Sequence, residues 1–186
     1  MDKEKVEKKF LNFIKKQEVL GEPFLNKLDQ LNNFYIPICD LIFKDFIKQK
    51  KTIIIGLSGG QGSGKSTIAA ILKIILETKY SLNTINFSID DFYKTFASRK
   101  KMSKKVHSLF LTRGVPGTHD TKLLIDIFKG IYKKKFKPVL IPKFDKSIDD
   151  RLPKKKWACI NKRPNIVIFE GWCIGSKPEK NIQLFK

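Results

Sequence analysis

A chain of 186 residues and 21.5 kDa holds one domain with a short appendage at most, and 41% hydrophobic with 11% aromatic residues supplies a core, which excludes disorder throughout. The formal net charge is +20, from 38 Lys and Arg against 18 Asp and Glu, and only Arg99, Arg113, Arg151 and Arg163 are arginine. So basic a balance suits an anionic partner, but the lysines are spread along the whole chain, which reads first as charge on solvent-facing surfaces.

Taken in chain order, residues 4–17 place Val6, Phe10, Phe13 and Ile14 at helical spacing, with Lys and Glu between them. Gly21-Glu22-Pro23 breaks that amphipathic helix. A second helix runs through Leu31, and a third covers 36–49 on Ile38, Leu41, Ile42 and Phe46. Residues 1–50 thus form a helical segment that packs on a core spanning 51–186. The core opens with the β-branched run Thr52–Leu57, a buried parallel strand. The loop Ser58–Gly64 and a helix from Lys65 to about Thr78 follow, then a second strand, Thr84–Ile89. Residues 94–112 are polar and basic, with few constraints. Lys122–Tyr132 reads as a helix, Pro138–Pro142 as a short extended piece, and Asn165–Phe169 as a buried strand ending in Glu170-Gly171-Trp172. Strands alternating with helices make an α/β fold with a mainly parallel sheet.

Cys39, Cys159 and Cys173 are odd in number and form no CxxC, so neither a disulfide framework nor a zinc cluster is indicated, and reduced thiols suit the cytoplasm. The first residues have neither the apolar stretch of a signal peptide nor the composition of a transit peptide, and no run has the length of a membrane span. Neither a zinc finger nor an aromatic-rich RNA-binding signature is present, so no specific nucleic-acid partner and no membrane partner is expected.

The chemistry concentrates in Gly59-Gly60-Gln61-Gly62-Ser63-Gly64-Lys65-Ser66, which fits GxxxxGK[ST]. Glycines permit backbone angles that turn successive N–H groups onto phosphate oxygens, and the following helix offers its positive end to the same anion. Lys65 would reach the β- and γ-phosphates, and the Ser66 hydroxyl would join a Mg²⁺ shell. Asp90 and Asp91 end the second strand, where ligands of open α/β sheets sit. A carboxylate there can take a proton from an acceptor hydroxyl or hold Mg²⁺; the competing reading is a helix N-cap. Glu170 ends the third core strand, where a Mg²⁺-organising acid belongs.

Five segments together resemble a family of P-loop small-molecule kinases typified by plant-type D-glycerate 3-kinase. They are Gly59–Thr67, Ser88–Tyr93, Arg113-Gly114-Val115-Pro116-Gly117-Thr118-His119-Asp120, Ile141-Pro142-Lys143-Phe144-Asp145-Lys146-Ser147 and Phe169-Glu170-Gly171-Trp172-Cys173. More distantly they resemble the uridine kinase, phosphoribulokinase and pantothenate kinase group. The resemblance spans residues 52–175 and implies a three-layer P-loop kinase sandwich with ATP and Mg²⁺. It implies that Gly59, Gly60, Gln61, Gly62, Ser63, Gly64, Lys65, Ser66 and Thr67 hold ATP, and that Asp90 is the general base. Asp91 would contact Mg²⁺ or substrate, with Ser66 and Glu170 also at the metal. Arg113, His119, Asp120, Asp145, Lys146 and Arg151 would line the acceptor pocket. A retained arginine in a lysine-rich chain suits a planar, bidentate need such as a carboxylate, which points independently to Arg113 and Arg151. The loop Ile148-Asp149-Asp150-Arg151 lacks the glycines that the family pattern has before Asp-Arg.

The implied reaction is ATP-dependent phosphorylation of a small-molecule hydroxyl, D-glycerate first, with uridine-, ribulose-5-phosphate- or pantothenate-type acceptors next, or ATP binding with little catalysis. The family continues past the Glu-Gly-Trp segment with further strands and a basic lid, so the sheet is expected to be incomplete, with Ile53–Leu57 at its edge.

Overall fold

The computed structural model describes residues 2–18 and 23–177. The anticipated break at Gly21-Glu22 and everything after Lys177 lie outside the described residues.

Helix α1 (Asp2–Glu18) buries Val6, Phe10 and Ile14 on one face, as their spacing requires. The next two predicted helices are one rod: α2 (Lys27–Gln30), a π-helical turn (Leu31–Tyr35) and α3 (Ile36–Gln49). The cause is Pro37. It has no N–H to donate and its ring crowds the carbonyl four residues back, and the widened turn before it absorbs the misfit without ending the helix.

Among the described residues seven strands follow: β1 (Ile53–Ser58), β2 (Thr84–Ser88), β3 (Val139–Ile141), β4 (Phe144–Asp145), β5 (Asp150–Arg151), β6 (Ala158–Ile160) and β7 (Ile166–Gly171). The main sheet is parallel, in the order β1-β7-β2, and every residue of the central β7 is buried. Among the described residues β1 is therefore an edge strand, as anticipated. Alternate side chains of β7 feed opposite cores. Ile166 and Ile168 meet α1, α3 and α4 (Lys65–Lys79) through Phe10, Cys39, Ile71 and Ile75. Val167 and Phe169 meet α6 (Thr121–Tyr132) through Ile127 and Ile131, with Phe87 and Phe92. Helix, sheet, helix: the three layers are present, and each fully buried aliphatic or Phe side chain contributes about 1.5–3 kcal/mol.

The Pro138–Pro142 extended piece is β3, paired antiparallel with β6. Residues 94–112 are far from unconstrained. They form α5 (Phe96–Lys105) and a 3₁₀ turn (Ser108–Leu111), anchored by Arg99, which has no exposed surface. No helix among the described residues is long and apolar enough to cross a membrane.

Candidate active site

Parallel pairing brings three of the segments singled out from sequence to one end of the sheet. Glu170 stands level with Leu57 of β1 and Ser88 of β2, so the loop after β1, the acids after β2 and the end of β7 converge. Gly62 and Gly64 both take φ +77, the left-handed region that glycine enters without strain, and Gly64 leads directly into α4. The Gly59 N–H donates to the Gly171 carbonyl at 3.3 Å, tying the loop to β7. Gly171 itself admits no side chain: a Cβ there would stand 2.4 Å from Ile89 Cγ2, so β7 presses against the 3₁₀ turn Ile89–Phe92 that carries the two aspartates.

Lys65 Nζ donates to the Gly60 carbonyl at 2.6 Å, folding over the loop, and Ser66 Oγ donates to Glu170 Oε1 at 2.9 Å. A helix N-terminus preceded by a glycine loop suits an anion. A hydroxyl beside one carboxylate suits Mg²⁺, which takes few protein ligands and completes its octahedron with phosphate and water. Among the described residues no group of three or more His, Cys, Asp or Glu gathers as a metal cage.

The neighbouring aspartates have different surroundings. Asp91 is buried; its Oδ1 accepts from the Phe144 N–H at 3.2 Å and pairs with Lys143 Nζ at 3.1 Å. That carboxylate fastens β4 to the 3₁₀ turn. Asp90 is more open, and its Oδ2 meets the exposed Lys146 Nζ at 2.7 Å. Neither is the helix N-cap of the competing reading: Ser88 caps the 3₁₀ turn and Thr95 caps α5.

An open cleft of about 1470 Å³ runs from the glycine loop across Asp90 to the β4–β5 hairpin. Of the residues singled out from sequence, Gly60, Gln61, Gly62, Lys65, Ser66, Asp90, Asp91, Arg113, Lys146 and Glu170 line it. Gly59, Ser63, Gly64 and Thr67 complete the loop and first helical turn without lining it. His119, Asp120, Asp145 and Arg151 do not line it either. Asp120 caps α6, accepting from the Leu123 N–H at 3.2 Å, and pairs with Arg151 Nη1 at 3.1 Å. Arg151 also donates to the Tyr93 carbonyl through Nε at 2.9 Å and Nη2 at 2.6 Å. Asp145 accepts from Ser147 N–H and Oγ; these bonds, Ser147's hydroxyl first, hold its carboxyl below the usual range. His119 is buried and stacked on Tyr93 with ring centroids 4.2 Å apart.

The cleft is also lined by Tyr93, Phe96, Lys143, Asp149 and Trp172, to which no role was assigned from sequence. Asp149 joins the arginines, its Oδ2 2.9 Å from Arg99 Nη2 and its Oδ1 2.6 Å from Arg113 Nη1. Burial pushes its carboxyl upward, but the hydrogen bonds from Arg99 and Arg113 outweigh that and leave it below the ordinary value. Asp149 takes φ +50, so it fills a left-handed position in the loop where glycines were missing. The scarcity of arginine was the available signal for Arg99, the partner behind it.

Comparison with known proteins agrees with this geometry. The chain is 39% identical over 152 residues to "Uncharacterized kinase mug58" of Schizosaccharomyces pombe, covering 76% of this chain and 54% of that protein. It is 31% identical over 134 residues to the chloroplastic D-glycerate 3-kinase of Arabidopsis thaliana, covering 68% of this chain and 29% of that protein. The solved structure of D-glycerate 3-kinase from Cryptococcus neoformans var. grubii superposes with a TM-score of 0.71 at 27% identity, over 81% of this chain and 56% of that one. The chain thus spans about half, or less, of the length of these relatives. The pattern of one family matches residues 54–175, more than half of the chain and the stretch that carries the glycine loop, both aspartates, the hairpin and Glu170: the chain belongs to the phosphoribulokinase/uridine kinase family.

Proposed function

We propose that this chain binds Mg·ATP and transfers the γ-phosphoryl group to a hydroxyl of a small acceptor, with D-glycerate the leading acceptor and 3-phosphoglycerate the product. One observation carries the reading. A single cleft joins the glycine loop, with Lys65, Ser66 and Glu170, to an accessible carboxylate, Asp90, and beyond it to an arginine, Arg113. The relatives named as D-glycerate 3-kinases support the same acceptor.

In this mechanism the loop N–H groups and α4 hold the phosphates, and Lys65 leaves the Gly60 carbonyl to offset charge on the transferring group. Ser66 and Glu170 would hold Mg²⁺, which supplies further charge neutralisation when bound. Asp90 accepts the acceptor's hydroxyl proton as that oxygen bonds to phosphorus and ADP departs. Lys146, now on Asp90, moves to the anionic groups of the bound substrates. Arg113 receives the acceptor's carboxylate.

A second acceptor class follows from the exposed aromatic side chains of Phe96 and Trp172 on the cleft, which suit a nucleobase. The test is ATP-dependent phosphorylation of D-glycerate, uridine, ribulose 5-phosphate and pantothenate by the 186-residue chain, with Lys65→Ala and Asp90→Asn alongside. Glycerate should be the preferred acceptor. Lys65→Ala should lose turnover and ATP affinity, and Asp90→Asn should retain ATP binding while turnover falls about 10²–10⁴-fold. Turnover of uridine but not glycerate replaces the first reading with the second. ATP binding without turnover of any acceptor reduces the chain to a nucleotide-binding unit.

A further inference from the structure

Arg99 is the largest fully buried side chain in the described structure, at 0% exposed. An enclosed guanidinium is tolerated only when its donors find partners. Here Nε donates to the Lys94 carbonyl at 3.3 Å and Nη1 to the Leu111 carbonyl at 2.6 Å. Nη2 donates to the Asp149 carbonyl at 2.6 Å and to Asp149 Oδ2 at 2.9 Å. One side chain therefore ties together the start of α5, the 3₁₀ turn before Arg113 and the β4–β5 hairpin.

Asp149 passes this order to the cleft, because its free oxygen takes Arg113 Nη1 at 2.6 Å. The Phe144 ring supports both guanidinium groups, each Cζ standing 5.9 Å from its centroid. Arg113 is gripped at one nitrogen and at one face, and its remaining N–H groups are left for a ligand. Without that grip it would project from a turn whose glycines, Gly114 and Gly117, take φ +96 and +92. Fixing a long side chain in advance removes an ordering penalty from ligand binding.

Asp149 could instead be a rival of the acceptor's carboxylate, to be displaced from Arg113. The geometry opposes this. Asp149 is bound to Arg99 through both main chain and side chain, and its departure would strip a buried cation of two partners. Its left-handed backbone at φ +50 would suit glycine better, yet glycine would supply neither carboxylate bond. Arg113 therefore leans on a fixed Asp149.

We infer that Arg99 and Asp149 are positioning residues, through which buried Arg99 sets Arg113 in place for an anionic, carboxylate-bearing acceptor. The inference rests on the kinase reading of the cleft, and its test separates the two. In steady-state kinetics with D-glycerate, Asp149→Asn and Arg99→Gln should each raise the glycerate KM by about tenfold or more, the size of a lost charge-assisted contact. The ATP KM and kcat should stay within about threefold, and the double variant should be no worse than the poorer single one, because the residues act in series. Equal rises in both KM values, or a loss of kcat alone, overturn the positioning role. A second readout needs no turnover: phenylglyoxal labelling of the four arginines followed by peptide mass spectrometry, with exposed Arg163 as reference. Arg113 should label several-fold faster in Asp149→Asn, a half-exposed site whose change leaves the Arg99 carbonyl contacts intact, so the variant is expected to fold. Unchanged Arg113 labelling overturns the inference even if glycerate is turned over. Faster labelling, with no protection by glycerate and no glycerate turnover, supports the positioning role and overturns the glycerate reading alone.

Discussion

His119, expected from sequence at the acceptor pocket, lies packed beside the cleft and does not line it. It is 7% exposed, its ring lies on Tyr93, and its buried Nε2 meets no partner among the described residues. Burial depresses its pKa below the ordinary 6.5, Asp90 opposes the shift, and Lys94 adds to it. The folded value is thus below the unfolded one, and between the two the unfolded chain binds more protons. Stability from this group is complete above pH 6.5 and declines as pH falls through the depressed value. The carboxyls of Asp149, Asp145 and Glu18 are all lowered, so their losses come at more acid pH and leave the 5–7 window to histidine. Wild-type Tm should fall from pH 7 to pH 5, and His119→Phe should flatten that fall; parallel curves would assign the dependence elsewhere. Thiol chemistry offers a companion test. Burial pushes the Cys39 thiol up to about 12, whereas Cys159 is exposed, so maleimide at neutral pH should label Cys159 and spare Cys39 until the chain unfolds.

At the level of elements, α6 depends on one carboxylate with two tasks. Asp120 caps its N-terminus and braces Arg151, whose side chain is only 10% exposed. Asp120→Ala should therefore cost about 2–4 kcal/mol, a lost cap plus a partly buried arginine short of a partner. Asp120→Asn keeps the cap and should cost less. Denaturant titration measures both, and the Asn variant should leave the acceptor KM near wild type, because Asp120 does not line the cleft. A large KM effect would return Asp120 to the acceptor site. These elements also mark what the sequence made legible. The run Ile53–Leu57, the glycine loop with α4, and the apolar strand before Glu170 carry local signals, periodicity and composition within a few residues, and all appear as anticipated. The different surroundings of Asp90 and Asp91 depend on the Phe144 amide, 53 residues from Asp91. The order in 94–112 depends on Arg99 and Asp149, 50 residues apart. No local pattern encodes such pairings, and the segment 144–151 is their hub. Asp150 in the same segment accepts from the Phe96 N–H at 2.8 Å, at the start of α5.

For the whole molecule, the charge and the cleft are separate matters. Four cations line the cleft (Lys65, Arg113, Lys143, Lys146) against four carboxylates (Asp90, Asp91, Asp149, Glu170), so the +20 resides on other surfaces. Two stretches without acid, 127–144 and 151–169, each carry six cations, and the β3–β6 pairing sets them side by side. This charge opposes a second tendency. Among the described residues β1 bonds only to β7, leaving the outer N–H and C=O groups of an Ile-rich strand open, with Ile54 36% exposed. Unprotected apolar edges pair with other chains. Which effect wins depends on screening: the Debye length is about 30 Å at 0.01 M salt, comparable to the molecule, and about 10 Å at 0.1 M. At low salt the like charges should hold copies apart; at higher salt edge pairing should prevail. Sedimentation velocity of the 186-residue chain should accordingly show monomer near 10 mM NaCl and concentration-dependent association by 0.5 M. Ile54→Lys puts a charge on the edge strand, the device that natural edge strands use, and should keep the high-salt sample monomeric. Association that weakens with salt would instead make it electrostatic, and a monomer at every salt and concentration would mean that the β1 edge is covered in solution.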